Sequence, residues 1–205
     1  MTKLNTRPAR ARLCAMMLVP IYRSAVHQFD VRVRAVRPEQ WSASTPDDDW
    51  DVHRLVRHVI LGQRLVPQTL DGTDTEPSIP WAEEAGDDLV KDWADASATA
   101  VEAVTALDSW ERPVTLPVGE LPAQEYLWRL ATDLTVHAWD LARAIGADDN
   151  FPNDLLGAVL DQLKHSADGW LTAGQYAPSI PVPGCTDDLT ELLALTGRNR
   201  WWRRS

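Results

Sequence analysis

An all-α helix bundle is the fold class this sequence predicts, and three observations lead there. Apolar residues recur at three- and four-residue spacing over several long stretches. The stretch from Trp110 to Pro122 instead carries β-branched residues, prolines and a Gly119-Glu120 turn signal, which predicts an extended excursion or small hairpin, a connection rather than a domain. No internal repeat, low-complexity tract or linker divides the 205 residues, so one domain is the simplest count. At 44% hydrophobic and 24% charged, a chain of this length buries a full core without staples.

The elements follow in order. Ile21, Ala25, Phe29, Val33 and Val36 form the stripe of a first helix that Pro38 stops. Asp51 is placed to cap a second, with Val52, Leu55, Val56, Val59, Ile60, Gln63 and Val66 on its inner face. A loop rich in Asp, Thr, Pro and Gly runs from Asp71 to Pro80. The third helix presents Leu89, Val90, Trp93, Ser97, Val101 and Val104. Pro122 suits the first position of a fourth, whose stripe is Leu127, Leu130, Leu134, Ala138, Leu141 and Ile145, ending at Gly146. Pro152 opens a fifth with Leu155, Leu156, Val159, Leu160 and Leu163. An irregular stretch from Tyr176 to Gly184 precedes a short helix from about Thr186 to Thr196 that Gly197 terminates. The expected organisation is a flexible N-terminal extension over residues 1–17 and a single helical domain over 18–205.

Charge excludes several functions. The net charge is −10, but the first 37 residues carry eight bases against one acid and residues 198–205 carry four arginines. The body between is strongly acidic, the opposite of a nucleic-acid-binding face. The longest apolar run, Leu13 to Ile21, contains Pro20 and is far short of the ~20 residues of a spanning helix. It follows basic residues, as in a signal peptide, but no small-x-small cleavage site follows it. A cytoplasmic protein with no nucleic-acid or membrane partner is therefore expected; a monomer or homodimer is the working expectation for its assembly. Two cysteines, Cys14 and Cys185, are too few for a disulfide framework or a cysteine-built zinc site.

Phosphate-loop, dinucleotide, serine-elbow and Cys-x-x-Cys patterns are absent, which leaves histidine to carry chemistry. His27 and His165 fall among polar positions. On the second helix, at about 100° per residue, His53 turns to the polar side with Arg57 and Arg64, while His58 falls near Leu55, Gly62 and Leu65. On the fourth, Asp133 and His137 stand four residues apart on one face, with Asp140 farther along the same edge. One histidine from one helix plus an Asp/His pair from another is a workable three-ligand set that leaves a coordination position open. The same spacing also arises as a surface ion pair beside a packed core histidine, so both readings stand at this point.

The stretch Thr45-Pro46-Asp47-Asp48-Asp49-Trp50-Asp51-Val52 leading to Leu55 and His58, together with Asp133-Leu134-Thr135-Val136-His137-Ala138-Trp139-Asp140-Leu141-Ala142 and Gly146, closely resembles the metal-binding domain of the mycothiol-dependent maleylpyruvate isomerase family. The Gly119-Glu120-Leu121-Pro122 turn and the closing Leu192-Leu193-Ala194-Leu195-Thr196-Gly197-Arg198 are similar to its small members. The resemblance implies a DinB-like four-helix bundle with a short additional C-terminal helical segment, and zinc or another divalent ion held by His58, Asp133 and His137. Two departures stand out. The isomerase type places Glu where this chain has Asp133, one methylene shorter, and it carries a second C-terminal domain for which the residues after the fourth helix are too few.

Two functions are carried forward. The first is a metal-dependent, zinc-using enzyme that employs a low-molecular-weight thiol such as mycothiol for transfer to, or isomerisation of, a small electrophilic substrate, with Arg143 assisting an anionic group. The second is a non-catalytic bundle that binds a small ligand or a partner, its metal structural or lost. Asp140 is read as a hydrogen-bond acceptor behind the ligands, and the ten tryptophans, Trp139 among them, as core and cavity wall.

Overall fold

The computed structural model describes residues 7–47, 50–73, 88–116, 119–170, 176–182, 184 and 186–204, with backbone alone for 7–16 and 166–170. Along them run α1 (Arg7–Val33), α2 (Val52–Asp71), α3 (Leu89–Ala106), β1 (Pro113–Leu116), β2 (Gly119–Pro122), α4 (Ala123–Ile145), α5 (Asn153–Trp170) and α6 (Asp188–Leu195). The fold is all-α, as the apolar spacing predicts. The loop expected from Asp71 to Pro80 lies outside the described residues from position 74, and Cys185 lies outside them too.

Helix boundaries follow local chemistry. Asp51 caps α2, its side chain accepting the Arg54 N–H at 2.8 Å, and Asp88 caps α3 by accepting from the Lys91 N–H at 3.1 Å. These contacts satisfy donors that the first turn of a helix leaves open. α1 differs from expectation at both ends: helical backbone begins at Arg7 and stops at Val33, so Val36 packs against the core from beyond the helix. β1 and β2 pair antiparallel with Pro113 opposite Pro122. The hairpin delivers the chain to α4, where the Ala123 N–H donates to the Arg112 carbonyl at 2.8 Å.

α4 is the axis of the bundle. From Ala131 to Ile145 nearly every side chain is buried, so this half of the helix is enclosed on all sides, as expected of a central rather than a surface helix. Leu130 is the exception within the expected stripe, being only partly buried. α1 packs most extensively on α4 and α2 on α3, while α5 and α6 close the far side. Trp93, Trp139, Tyr22 and Phe29 are the largest fully buried side chains.

Polar ties fix these layers. The buried Tyr22 hydroxyl donates to Gln63 Oε1, joining α1 to α2. Gln40 Nε2 donates to the Ile145 carbonyl at 2.8 Å, supplying a partner to an orphan carbonyl at the C-terminus of α4. Arg32, also buried, donates to the Asp148 and Asn150 carbonyls at 2.8 and 3.1 Å and lies 4.4 Å over the Phe151 ring. Among the described residues no helix is long and apolar enough to cross a membrane.

Candidate metal centre

α2 and α4 bring His58, Asp133 and His137 together. One potential ligand atom from each lies within 4.8 Å of the other two. His137 Nε2 and Asp133 Oδ1 are 3.4 Å apart, which matches the separation of about 3.4 Å between two ligands of a tetrahedral ion at ~2.1 Å. An i, i+4 spacing on the helix creates this pair, and a single turn of α2 carries His58 inward to meet it. Two imidazoles and a carboxylate are a zinc-type donor set, so the residues present fit a divalent ion.

Trp50 walls the cluster from the loop that precedes α2. Its ring stacks on His137 at 6.1 Å between centroids with 16° between planes, and meets His58 edge-on at 4.8 Å. The loop is held by its own backbone: the Val52 N–H donates to the Ala43 carbonyl, and Thr45 N–H to the Trp50 carbonyl. Two cavities reach His58 from different sides. One, of about 410 Å³, is bordered by Trp50, His53, Arg54, Arg57 and Leu61. The other, of about 300 Å³, is bordered by Leu116, Tyr126, Arg129, Leu130, Asp133 and Tyr176.

Electrostatics separates the two histidines. Burial, with the neighbouring His137, pushes His58 down from 6.5 to about 4, so its imidazole is neutral at pH 7. Burial pulls His137 the same way, but the charges and hydrogen bonds of Asp133 and Asp140 overcome it and raise it to about 10. Asp133 is held below its ordinary value because His137, His58 and Arg198 outweigh its desolvation. The phenol of Tyr176 is driven well above its ordinary value, first by burial and then by the charge of Asp133.

A second layer stands behind His137. Its Nδ1 lies 3.2 Å from Asp140 Oδ2, the hydrogen-bond role expected of that residue. The same oxygen accepts from Arg198 Nη2 at 3.2 Å, and that nitrogen also donates to Asp47 Oδ2. A Schellman turn aims Arg198 here: Gly197 takes φ +75°, its N–H donating to the Ala194 carbonyl and the Arg198 N–H to the Leu193 carbonyl at 2.7 Å. Asp47, His137 and Asp140 form a second set with potential ligand atoms within 4.8 Å of one another.

The other candidates are outside these two ligand sets, although His53 borders the cavity of about 410 Å³. His27, His53 and His165 are exposed. Arg143 donates to the Trp202 carbonyl at 2.6 Å and pairs with Asp149 at 3.4 Å. Sequence reasoning did not single out Asp47, Trp50, Tyr176 or Arg198 as site residues. The one available signal was the pair of motif segments containing Asp47, Trp50 and Arg198, since no helical spacing relates loop residues to a site.

Residues 22–142 match the family model described as "Mycothiol maleylpyruvate isomerase N-terminal domain". Two curated Mycobacterium tuberculosis proteins, named Uncharacterized protein Rv0738 (strain H37Rv) and Uncharacterized protein MT0763 (strain CDC 1551), are each 30% identical over 134 residues, covering 65% of this chain and 70% of theirs. The fold is shared with the crystal structure of the mycothiol-dependent maleylpyruvate isomerase, at a TM-score of 0.59 and 17% identity over 76% of this chain and 72% of that one. A histidine-to-alanine variant of that enzyme superposes with a TM-score of 0.58 at 16% identity. The matched span runs from the first buried turns of α1 through both motif segments on α2 and α4, and the chain belongs to the mycothiol maleylpyruvate isomerase N-terminal domain family.

Proposed function

We propose that this chain is a metal-dependent enzyme of low-molecular-weight thiol chemistry, joining a thiol such as mycothiol to, or isomerising with its help, a small electrophilic substrate. The observation that carries the reading is the convergence of His58, Asp133 and His137 where two separate cavities meet at His58. Zinc is the ion we assign, because two imidazoles and one carboxylate with an incomplete shell suit it. A divalent cation held there would lower the pKa of a ligating thiol, which at about 8.5 is otherwise mostly protonated at neutral pH.

The chain's own residues do the rest. His58 is already neutral and offers a lone pair without losing a proton. His137 keeps Nδ1 toward Asp140, which fixes the ring and leaves Nε2 facing Asp133. Trp50 covers the outer face of His137 and keeps water from it. Arg54 and Arg57 border one cavity and Arg129 the other, and these are the cations we assign to anionic groups of the two reactants. Arg143, the cation expected to assist, borders neither of these two cavities.

A second reading rests on a specific observation. With His137 protonated between Asp133 and Asp140, the cluster is an ion-pair network that holds together by itself, as a non-catalytic binding bundle would require. Thiol consumption by a reactive electrophile separates the two. Turnover should need both metal and added mycothiol, persist in the Cys14→Ala, Cys185→Ala double variant, and vanish in His137→Ala. Equal thiol consumption with and without metal would leave the protein a binding bundle.

A further inference from the structure

Arg198 stands where a cation belongs. Asp47, Asp140 and His137 present two carboxylates and an imidazole nitrogen within 4.8 Å of one another, and Asp140 is wholly buried. Such a set, uncompensated, is costly inside a protein and calls for a proton, a metal ion or a cationic side chain. The chain supplies the side chain from its far end, 151 positions from Asp47.

The manner of contact is that of a point charge. An arginine that binds a carboxylate for its own sake offers two nitrogens in parallel to both oxygens. Here one nitrogen, Nη2, serves Asp47 Oδ2 and Asp140 Oδ2 together, while Nη1 is spent on the Thr196 carbonyl at 3.2 Å. Asp140 Oδ1 and Arg198 Nε are both buried, with no hydrogen-bond partner among the described residues. A single positive atom thus lies at the convergence of two carboxylates, beside a buried oxygen without a partner among the described residues, where a metal ion could also sit.

We propose that Arg198 is a resident cation that occupies a second metal-competent centre, formed by Asp47, Asp140 and His137, and so restricts the protein to one ion at His58, Asp133 and His137. By holding Asp140 it also keeps Nδ1 of His137 in a hydrogen bond and reserves Nε2 for that ion. The inference rests on the metal reading above, and its test reads ions per chain, independently of turnover.

Zinc is titrated by equilibrium dialysis with elemental analysis, up to about a hundredfold above the first dissociation constant. The native chain should take one ion. Arg198→Met, which removes the charge but keeps most of the side-chain volume, should take two, with His137 bridging them through both ring nitrogens and its Nδ1 proton released to solvent. Adding Asp47→Asn to that variant should return it to one, and Arg198→Lys should hold one throughout. A folded Arg198→Met chain that takes one ion overturns the inference and leaves the metal reading intact. A native chain that takes none overturns both. If circular dichroism shows Arg198→Met to be unfolded, Arg198→Gln takes its place at the same zinc excess: two ions per chain support the inference, and one ion in a folded Arg198→Gln chain overturns it.

Discussion

At the scale of single residues, His58 and His137 respond to pH in opposite directions, and each sign follows from its surroundings. His58 titrates at about 4 in the folded chain against 6.5 unfolded. Between those values the unfolded state binds more protons, so metal-free stability falls as pH drops from 6.5 toward 4. His137 is raised to about 10; its contribution is complete below 6.5 and is lost as pH climbs to about 10. Thermal melts of metal-free protein should therefore show lower Tm on both sides of about pH 6.5. His58→Gln should flatten the acid limb alone. An unchanged acid limb would mean that His58 is not buried as a neutral ring. The same shift predicts that zinc affinity rises with pH, since His137 Nε2 must lose its proton to become a ligand. Metal content after purification should drop sharply in His58→Ala, Asp133→Ala and His137→Ala, and stay level in His53→Ala. Loss from His53→Ala equal to the others would remove the ligand assignment.

At the scale of elements, glycines with opposite surroundings test how the site is delivered. Gly197 has φ +75°, and a Cβ there would meet Ala177 Cβ at 2.6 Å and its carbonyl oxygen at 2.8 Å. A left-handed backbone alone costs an ordinary residue roughly 1–2 kcal/mol, and the contact with backbone adds to it. Gly197→Ala should thus lower stability by about 2 kcal/mol or more and disturb the Arg198 contacts through the turn that aims it. Gly62, inside α2, has open space around its Cβ position, so Gly62→Ala should raise stability by roughly 0.5–1 kcal/mol. Chemical denaturation of both variants checks the pair, and a stabilised Gly197→Ala would show that α6 ends in some other way. These elements also explain what could be read in advance. His58, Asp133 and His137 were legible because helical periodicity fixes which side chains share a face. Asp47, Trp50 and Arg198 were not, because they arrive on loops and a helix end whose mutual position depends on the whole fold. The four C-terminal arginines read as a basic tail. In the structure Arg198 is buried, Arg200 pairs with Asp149 at 2.6 Å and Arg204 donates to the Ala144 carbonyl at 3.1 Å.

At the scale of the whole molecule, the candidate metal centre spans two halves of the bundle. α1 packs mainly on α4 and α2 on α3, with less direct packing between α2 and α4. His58 belongs to one pair of helices and Asp133 with His137 to the other, so an ion held by all three would cross-link the pairs. An ion that binds only the folded chain stabilises it by about 2.7 kcal/mol at one hundred times its dissociation constant. For a domain near 200 residues, each kcal/mol moves Tm by roughly 2–4 °C. Zinc at that excess should therefore raise the Tm of the native chain by about 5–10 °C and leave His137→Ala unchanged. Removal of residues 1–17 should alter neither the starting Tm nor the zinc shift. Among the described side chains of α1 the first buried one is Leu18, which is fully buried, whereas Met17 is 61% exposed, and both motif helices lie downstream. Scanning calorimetry of the three proteins with and without zinc decides each point. A loss of more than about 5 °C on truncation would make the first turns of α1 part of the fold. A zinc shift that survives His137→Ala would place the ion elsewhere.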